Sequence, residues 1–222
     1  MLLALWAVAG GNRPEERVLN VFSPTEIPTE PEATTQKALE FPIVVTDTGL
    51  IVQNMAQYEG PFLESEDQEP VAQVAALMIY NPGSKMITSA ELVLTQGERN
   101  LRFFFTCLPP QSRVLVLEKN RQQYSSEPVH SCQCLSFTEE TPQSSSMQIT
   151  DSENGLTVRN LYEEDKTVTL YYKQYITEGN FYLGGITAQT RVEHLAAGEN
   201  REILAVGYAP GYCRIVAVKL SD

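Results

Sequence analysis

The sequence predicts an all-β protein in which two tandem β-sandwich domains follow an extended N-terminal segment. The pattern of residues 45–54 recurs about a hundred residues later, in residues 149–160, and each copy has the order strand, turn, strand. Short apolar runs alternate with turn residues from residue 41 onwards. No window of three helical turns keeps a helical period without Gly, Pro or a run of β-branched residues. These three observations favour strands throughout.

Composition divides the chain into five segments. We interpret them as a truncated signal or anchor segment (1–11), a disordered or extended stalk (12–40), a first sandwich (41–137), a polar linker (138–146) and a second sandwich (147–222).

The first nine residues are almost wholly apolar, too short to span a bilayer, and end in Ala7-Val8-Ala9, which has the form of a signal-peptidase site. They lack the basic start of a signal peptide, so we expect an export signal or anchor whose beginning is missing. The alternative is an apolar leader that packs on a domain. The stalk is rich in Pro, Glu and Thr, which disfavours a packed core. Its apolar residues 18–22 leave open an added strand in the first domain.

The charge balance restricts the partners. With 28 acidic and 16 basic side chains the net charge is -12, which repels phosphate backbones and anionic lipid surfaces. We therefore expect no nucleic acid partner, and contact with a membrane only through the N-terminal segment. The expected partner is a protein or another component of the cell envelope, and a glycan is possible.

In the first domain, apolar runs predict a central strand at residues 72–80 and further strands at 87–95, 101–107, 113–118 and 129–137. Residues 55–70 carry Gly60-Pro61 and several acidic side chains (Glu64, Glu66, Asp67, Glu69), which predicts a long solvated loop. This loop lacks the Asp ladder of a calcium site. We therefore predict no metal there.

Four cysteines are too few for a disulfide-built scaffold and do not have the spacing of a zinc site. The period of two places Cys107 on the core side of its strand. Cys132 and Cys134 point to one face of another strand, where a bond between them would be strained. We predict one disulfide, from Cys107 to either Cys132 or Cys134.

In the second domain, residues 167–175 alternate, so that Tyr171 and Tyr175 are expected on an exposed face. Gly184-Gly185 interrupts a strand pattern and predicts a bulge or bend. The turn Leu195-Ala196-Ala197-Gly198-Glu199 corresponds to Leu108-Pro109-Pro110-Gln111-Ser112 of the first domain, and an apolar strand follows each turn. Asp47 and Asp151 are expected to cap their own turns.

This pattern of a strand ending in Asn, a later strand pair and a Leu-x-x-Gly-Glu turn resembles the immunoglobulin-like β-sandwich modules of bacterial envelope proteins, including FxLYD-type repeats. It is also similar to uncharacterised tandem-domain proteins of gut Firmicutes. The resemblance covers most of residues 43–220. It implies an exported or membrane-anchored protein, located outside the cell or in the cell envelope. The first copy of the turn lacks the Gly-Glu pair.

The sequence carries no recognisable catalytic or cofactor motif. It has no Gly-x-Ser-x-Gly element to accompany its two histidines, His130 and His194. A pairing of His130 with Cys132 on one strand is typical of structural residues. No Gly-x-Gly-x-x-Gly or Walker loop is present. We predict a protein without enzymatic activity, cofactor or metal.

Two candidate functions without catalysis remain. The preferred one is a non-catalytic envelope protein that acts as a spacer or protein-interaction module. The alternative is a carbohydrate-binding module that uses tyrosines of the second domain. The candidate binding residues are Tyr171, Tyr175, Tyr182, Tyr208 and Tyr212.

Overall fold

The computed structural model describes residues 37–65 and 67–221. The predicted leader, and the predicted stalk as far as residue 36, lie outside the described residues. Within them the fold is all-β, as predicted, and no residue is helical.

Seven strands precede residue 141: β1 (Ile43–Val44), β2 (Ile51–Pro61), β3 (Pro70–Asn81), β4 (Met86–Gln96), β5 (Arg99–Leu108), β6 (Ser112–Leu117) and β7 (Val129–Glu140). Six follow: β8 (Met147–Asp151), β9 (Leu156–Asn160), β10 (Lys166–Ile176), β11 (Phe181–Leu195), β12 (Asn200–Ile203) and β13 (Cys213–Ser221). The five strands predicted between residues 72 and 137 are confirmed as β3 to β7. The predicted loop at 55–70 is wrong in its first part, because β2 continues to Pro61.

We call residues 41–140 the first half and residues 147–221 the second half. The strand pairing of the first half recurs in the second. In the first, β3 pairs with β2 and β6, while β4 pairs with β5 and β7; in the second, β9 pairs with β8 and β12, while β10 pairs with β11 and β13. In each half, buried side chains from both strand groups form a main hydrophobic cluster. These two clusters account for most of the core, and a small third cluster lies in the first half (Phe62, Val74, Ala76, Leu117).

One sheet runs through both halves. Its seven strands have the order β1-β2-β3-β6-β11-β10-β13, and two three-stranded sheets, β5-β4-β7 and β12-β9-β8, complete the fold. The halves meet where β6 pairs with β11 in parallel, with Val114 opposite Tyr182 and Leu115 opposite Leu183. The other pairings among the described strands are antiparallel. This short parallel contact joins the two sets of strands.

A buried asparagine stabilises the same turn in each half. The Asn81 amide donates to the carbonyls of Lys85, Leu108 and Pro109, at 2.9, 3.3 and 3.1 Å. The Asn160 amide likewise donates to Glu164, Leu195 and Ala196, at 2.9, 2.9 and 3.2 Å. Each side-chain oxygen accepts the N–H two residues onward, from Gly83 and Tyr162. The predicted correspondence of the turns after Leu108 and Leu195 is therefore confirmed.

The predicted recurrence of residues 45–54 in residues 149–160 aligns Asn54 with Asn160, and this alignment is wrong. Asn54 lies in the middle of β2 and is exposed, whereas Asn81 ends β3 and is buried. Because β2 and β3 form a long hairpin, the first half has extra residues before its asparagine. The strand–turn–strand pattern of residues 45–54 belongs to the hairpin of β1 and β2 instead.

We expect Asn160→Ala to lower the free energy of unfolding by about 2–3 kcal/mol, because it leaves several partly buried carbonyls without a donor. Urea unfolding followed by circular dichroism measures the change. The matched control is Asn54→Ala, at the exposed asparagine, which should change stability by less than about 0.5 kcal/mol. Equal losses in both variants would contradict this assignment.

Candidate functional site

The pairing of β10 with β11 is interrupted by a bulge in β11. Tyr172 pairs with Ala188 and Gln174 pairs with Leu183, so Lys173 alone spans the gap opposite residues 184–187. The predicted bulge at Gly184-Gly185 is therefore confirmed. It moves β11 away from β10 at the level where β11 meets the first half.

Lys173 fills the space that the bulge opens. Its side chain is buried, with 3% exposure, and its Nζ donates to the carbonyl of Gly184 at 2.9 Å and to the carbonyl of Gly185. Burial lowers the pKa of Lys173 to about 8, and the nearby Glu64 and Cys107 partly oppose this shift. The two accepting carbonyls and the nearby Glu64 carboxylate favour the protonated amine.

Glu64 reaches the same bulge from the first half. Its carboxylate accepts the N–H of Gly185 at 2.8 and 3.0 Å, the N–H of Ile186 at 3.1 Å and the N–H of Leu117 at 2.9 Å. Burial raises the pKa of Glu64, while these N–H groups and the Lys173 charge oppose the rise. The carboxylate thus links β6 to β11 just beyond their parallel pairing. The prediction of a solvated acidic loop is wrong for Glu64.

The contact requires glycine at residue 185. A Cβ there would lie 2.1 Å from the carbonyl oxygen of Phe104 and 2.9 Å from a carboxylate oxygen of Glu64. Gly184 has a φ of +84°, which side chains disfavour. Gly185 is thus required by the close contact between the two halves, and Gly184 by the backbone conformation of the bulge.

Further contacts support this joint, which we define as Glu64, Lys173 and residues 184–187. The hydroxyls of Thr106 and Thr187 lie 2.8 Å apart, and the Thr187 N–H donates to the Thr106 hydroxyl at 3.1 Å. Tyr175 and Tyr182 of the second half pack into the core of the first, with ring centroids 5.2 Å apart. Apolar packing and hydrogen bonds therefore act together.

A cleft of about 740 Å³ lies beside the joint. The first half contributes Leu63, Glu64, Ser65 and Gln68 to it. From the second half it is lined by β10, by β11 and by the loop between β12 and β13, with Gln174, Ile186, Gln189 and Val206 among the lining residues. Its volume lies within the roughly 300–1,000 Å³ usual for ligand sites.

The five predicted binding tyrosines do not form one surface. Tyr175 and Tyr182 are buried, with 8% and 7% exposure, Tyr171 and Tyr208 are half-buried, and Tyr212 is 73% exposed. The expectation that Tyr171 and Tyr175 share an exposed face is wrong. The bulge changes the phase of β10, so that Tyr172 and Lys173 are buried in succession.

Asp151 does not cap its own turn. Its carboxylate accepts the hydroxyl of Tyr208 at 2.5 Å and the N–H of Gly211 at 2.9 Å, and so fixes the loop before β13. Burial and the Asp151 charge raise the pKa of Tyr208. In the turn of Asp47, the Thr48 hydroxyl makes the local hydrogen bonds, to the Val45 carbonyl and from the Leu50 N–H. The predicted Asx-type role is therefore wrong for Asp151.

The four cysteines are free thiols in the structure. Cys107 lies on β5, whereas Cys132 and Cys134 lie on β7, and β4 runs between these strands. Two strand spacings of about 4.8 Å exceed the reach of a disulfide. The predicted bond from Cys107 is therefore not formed. Burial raises the pKa of Cys132 to about 11, which disfavours its reactive thiolate.

Within residues 37–65 and 67–221, no group of three or more His, Cys, Asp or Glu side chains has a geometry that could hold a metal ion. The same part of the chain contains no helix that is long and apolar enough to cross a membrane.

Comparisons with known protein families, curated proteins and solved structures found no match. The joint and the cleft are therefore interpreted from their own chemistry.

We expect Lys173→Met to lower the free energy of unfolding by about 1–3 kcal/mol, because the Gly184 and Gly185 carbonyls lose their buried donor and the half-buried Glu64 carboxylate loses its neighbouring cation. Urea unfolding measures this loss. In the double variant with Glu64→Leu, the total loss should be smaller than the sum of the two single losses. Strictly additive losses would show that the two charges do not interact.

Proposed function

We propose that residues 41–222 form two tandem immunoglobulin-like β-sandwich domains of a non-catalytic envelope protein. In this proposal the two domains act as a spacer of fixed geometry and as a protein-interaction module. The observation that carries the proposal is the joint, in which the carboxylate of one half and the ammonium of the other bind the same glycine.

The joint supports a fixed geometry for a physical reason. Neighbouring domains normally move relative to one another unless their interface is extensive or well packed. Here a hinge motion would break at once the hydrogen bonds that the Gly185 and Ile186 N–H groups donate to Glu64. It would also remove Tyr175 and Tyr182 from the core of the first half. Such a motion would cost free energy, and this cost favours the fixed geometry that a spacer requires.

The proposed location rests on the N-terminal sequence. The apolar residues 1–11 and the Pro-rich stalk 12–40 are typical of an exported or membrane-anchored protein, in which the stalk holds the folded part away from the membrane. The partner in this proposal is a protein or another envelope component. The net charge of -12 argues against nucleic acid.

Carbohydrate binding is the second candidate. It is favoured by Tyr212, which is 73% exposed, and by the half-buried Tyr171. Tyr171 immediately precedes the residues of β10 that line the cleft. The burial of Tyr175 and Tyr182 removes two rings from the platform on which this function would depend.

If the joint fixes the geometry, backbone ¹⁵N relaxation should give one rotational correlation time for the strands of both halves. The measurement uses residues 37–222 or the full chain, with β4 and β9 as reporters. Independent tumbling of the halves, seen as clearly different correlation times, would contradict the spacer proposal.

A further inference from the structure

The cleft beside the joint is a site without an assigned ligand. Its walls include the segment that carries Leu63 and Glu64 and the loop that carries Val206 and Gly207. The cleft exists only where the two halves meet, because neither half contributes all of its walls. Sites at such boundaries are common places for ligands.

The charged groups of the cleft are already occupied. The Glu64 carboxylate accepts three different backbone N–H groups, and the Lys173 ammonium donates to two carbonyls. The remaining lining residues are uncharged. A charged ligand group would find no opposite charge that is free to pair with it, so the cleft favours an uncharged ligand.

Three glutamines supply polar groups to the cleft. Gln68, Gln174 and Gln189 line it, and their side-chain amides have no hydrogen-bond partner among residues 37–65 and 67–221. Each amide offers both a donor and an acceptor, which are the two groups that a peptide bond requires. The glutamines come from both halves of the protein.

Exposed apolar side chains lie between these amides. Ile186 is 46% exposed and Val206 is 90% exposed, and both line the cleft. An apolar surface next to unpaired amides suits a ligand whose polar backbone carries apolar side chains. The ring available in the cleft is that of Tyr172, which is 1% exposed and donates its hydroxyl to the Val206 carbonyl at 2.6 Å. No open ring face is therefore offered there by the described residues for stacking a sugar.

From these observations we infer that the cleft binds an extended peptide segment of a partner protein, with small or apolar uncharged side chains. The glutamine amides bind its main chain, and Ile186 and Val206 contact its side chains. This inference deepens the proposed interaction function and rests on it.

The test is a selection from a phage-displayed random dodecapeptide library against the folded protein. Synthetic versions of the enriched peptides are then titrated by calorimetry. We expect Val206→Glu to weaken their binding at least about tenfold, because it places a carboxylate in a cleft that has no free cation to pair with it. The matched control is Leu204→Glu, on the same loop. Leu204 is 78% exposed but does not line the cleft, so binding should change less than about twofold.

Both variants alter exposed side chains and are expected to remain folded, which circular dichroism checks. Equal binding by the two variants, or a library from which no peptide is enriched, would overturn the inference. A neutral oligosaccharide that binds on a glycan array and is lost only in Val206→Glu would assign the cleft to a sugar and would also overturn it. These failures are distinguishable from failure of the spacer proposal, because correlation times report the geometry independently of any ligand.

Discussion

The structure depends on the backbone of Gly185, which is held from both sides. Its N–H donates to Glu64 of the first half, and its carbonyl accepts from Lys173 of the second half. Lys173 occupies the gap in the β10–β11 pairing that the bulge at this glycine opens. The long sheet continues from β6 to β11 at the same place. Gly185 and its two charged neighbours therefore act together with the β6–β11 pairing and the packing of Tyr175 and Tyr182 to place the two halves.

Neither charge would be tolerated alone. A buried ammonium or carboxylate loses its hydration, and only close polar partners offset that loss. Lys173 obtains two carbonyls that the bulge has released from strand pairing, and Glu64 obtains N–H groups from both β6 and β11. Glu64 of the first half thus satisfies N–H groups of the second half, whereas Lys173 satisfies carbonyls of its own half. These partners offset the cost of placing a buried ammonium near a half-buried carboxylate.

Local sequence patterns predicted the strands well and the joint poorly. Alternation identified β3 to β7, because each residue's face follows from its neighbours. The same rule failed at Tyr175, because the bulge in β11 interrupts the alternation of buried and exposed residues along β10. The sequence of β10 itself does not indicate this interruption. Glu64 looked solvated among its acidic neighbours, and its partners lie more than fifty residues away. The predicted disulfide failed similarly, because sequence does not reveal that β4 separates β5 from β7. Only Gly184-Gly185 marked the joint in advance.

Native-state hydrogen exchange of the Gly185 amide tests the central claim most directly. If the joint opens only when the protein unfolds, this amide should exchange with the same free energy as the amide of Leu92, in the central strand β4 of a three-stranded sheet. Exchange of Gly185 by a local opening, at a free energy several kcal/mol below that of Leu92, would contradict the claim that Glu64 and Lys173 fix the two halves together.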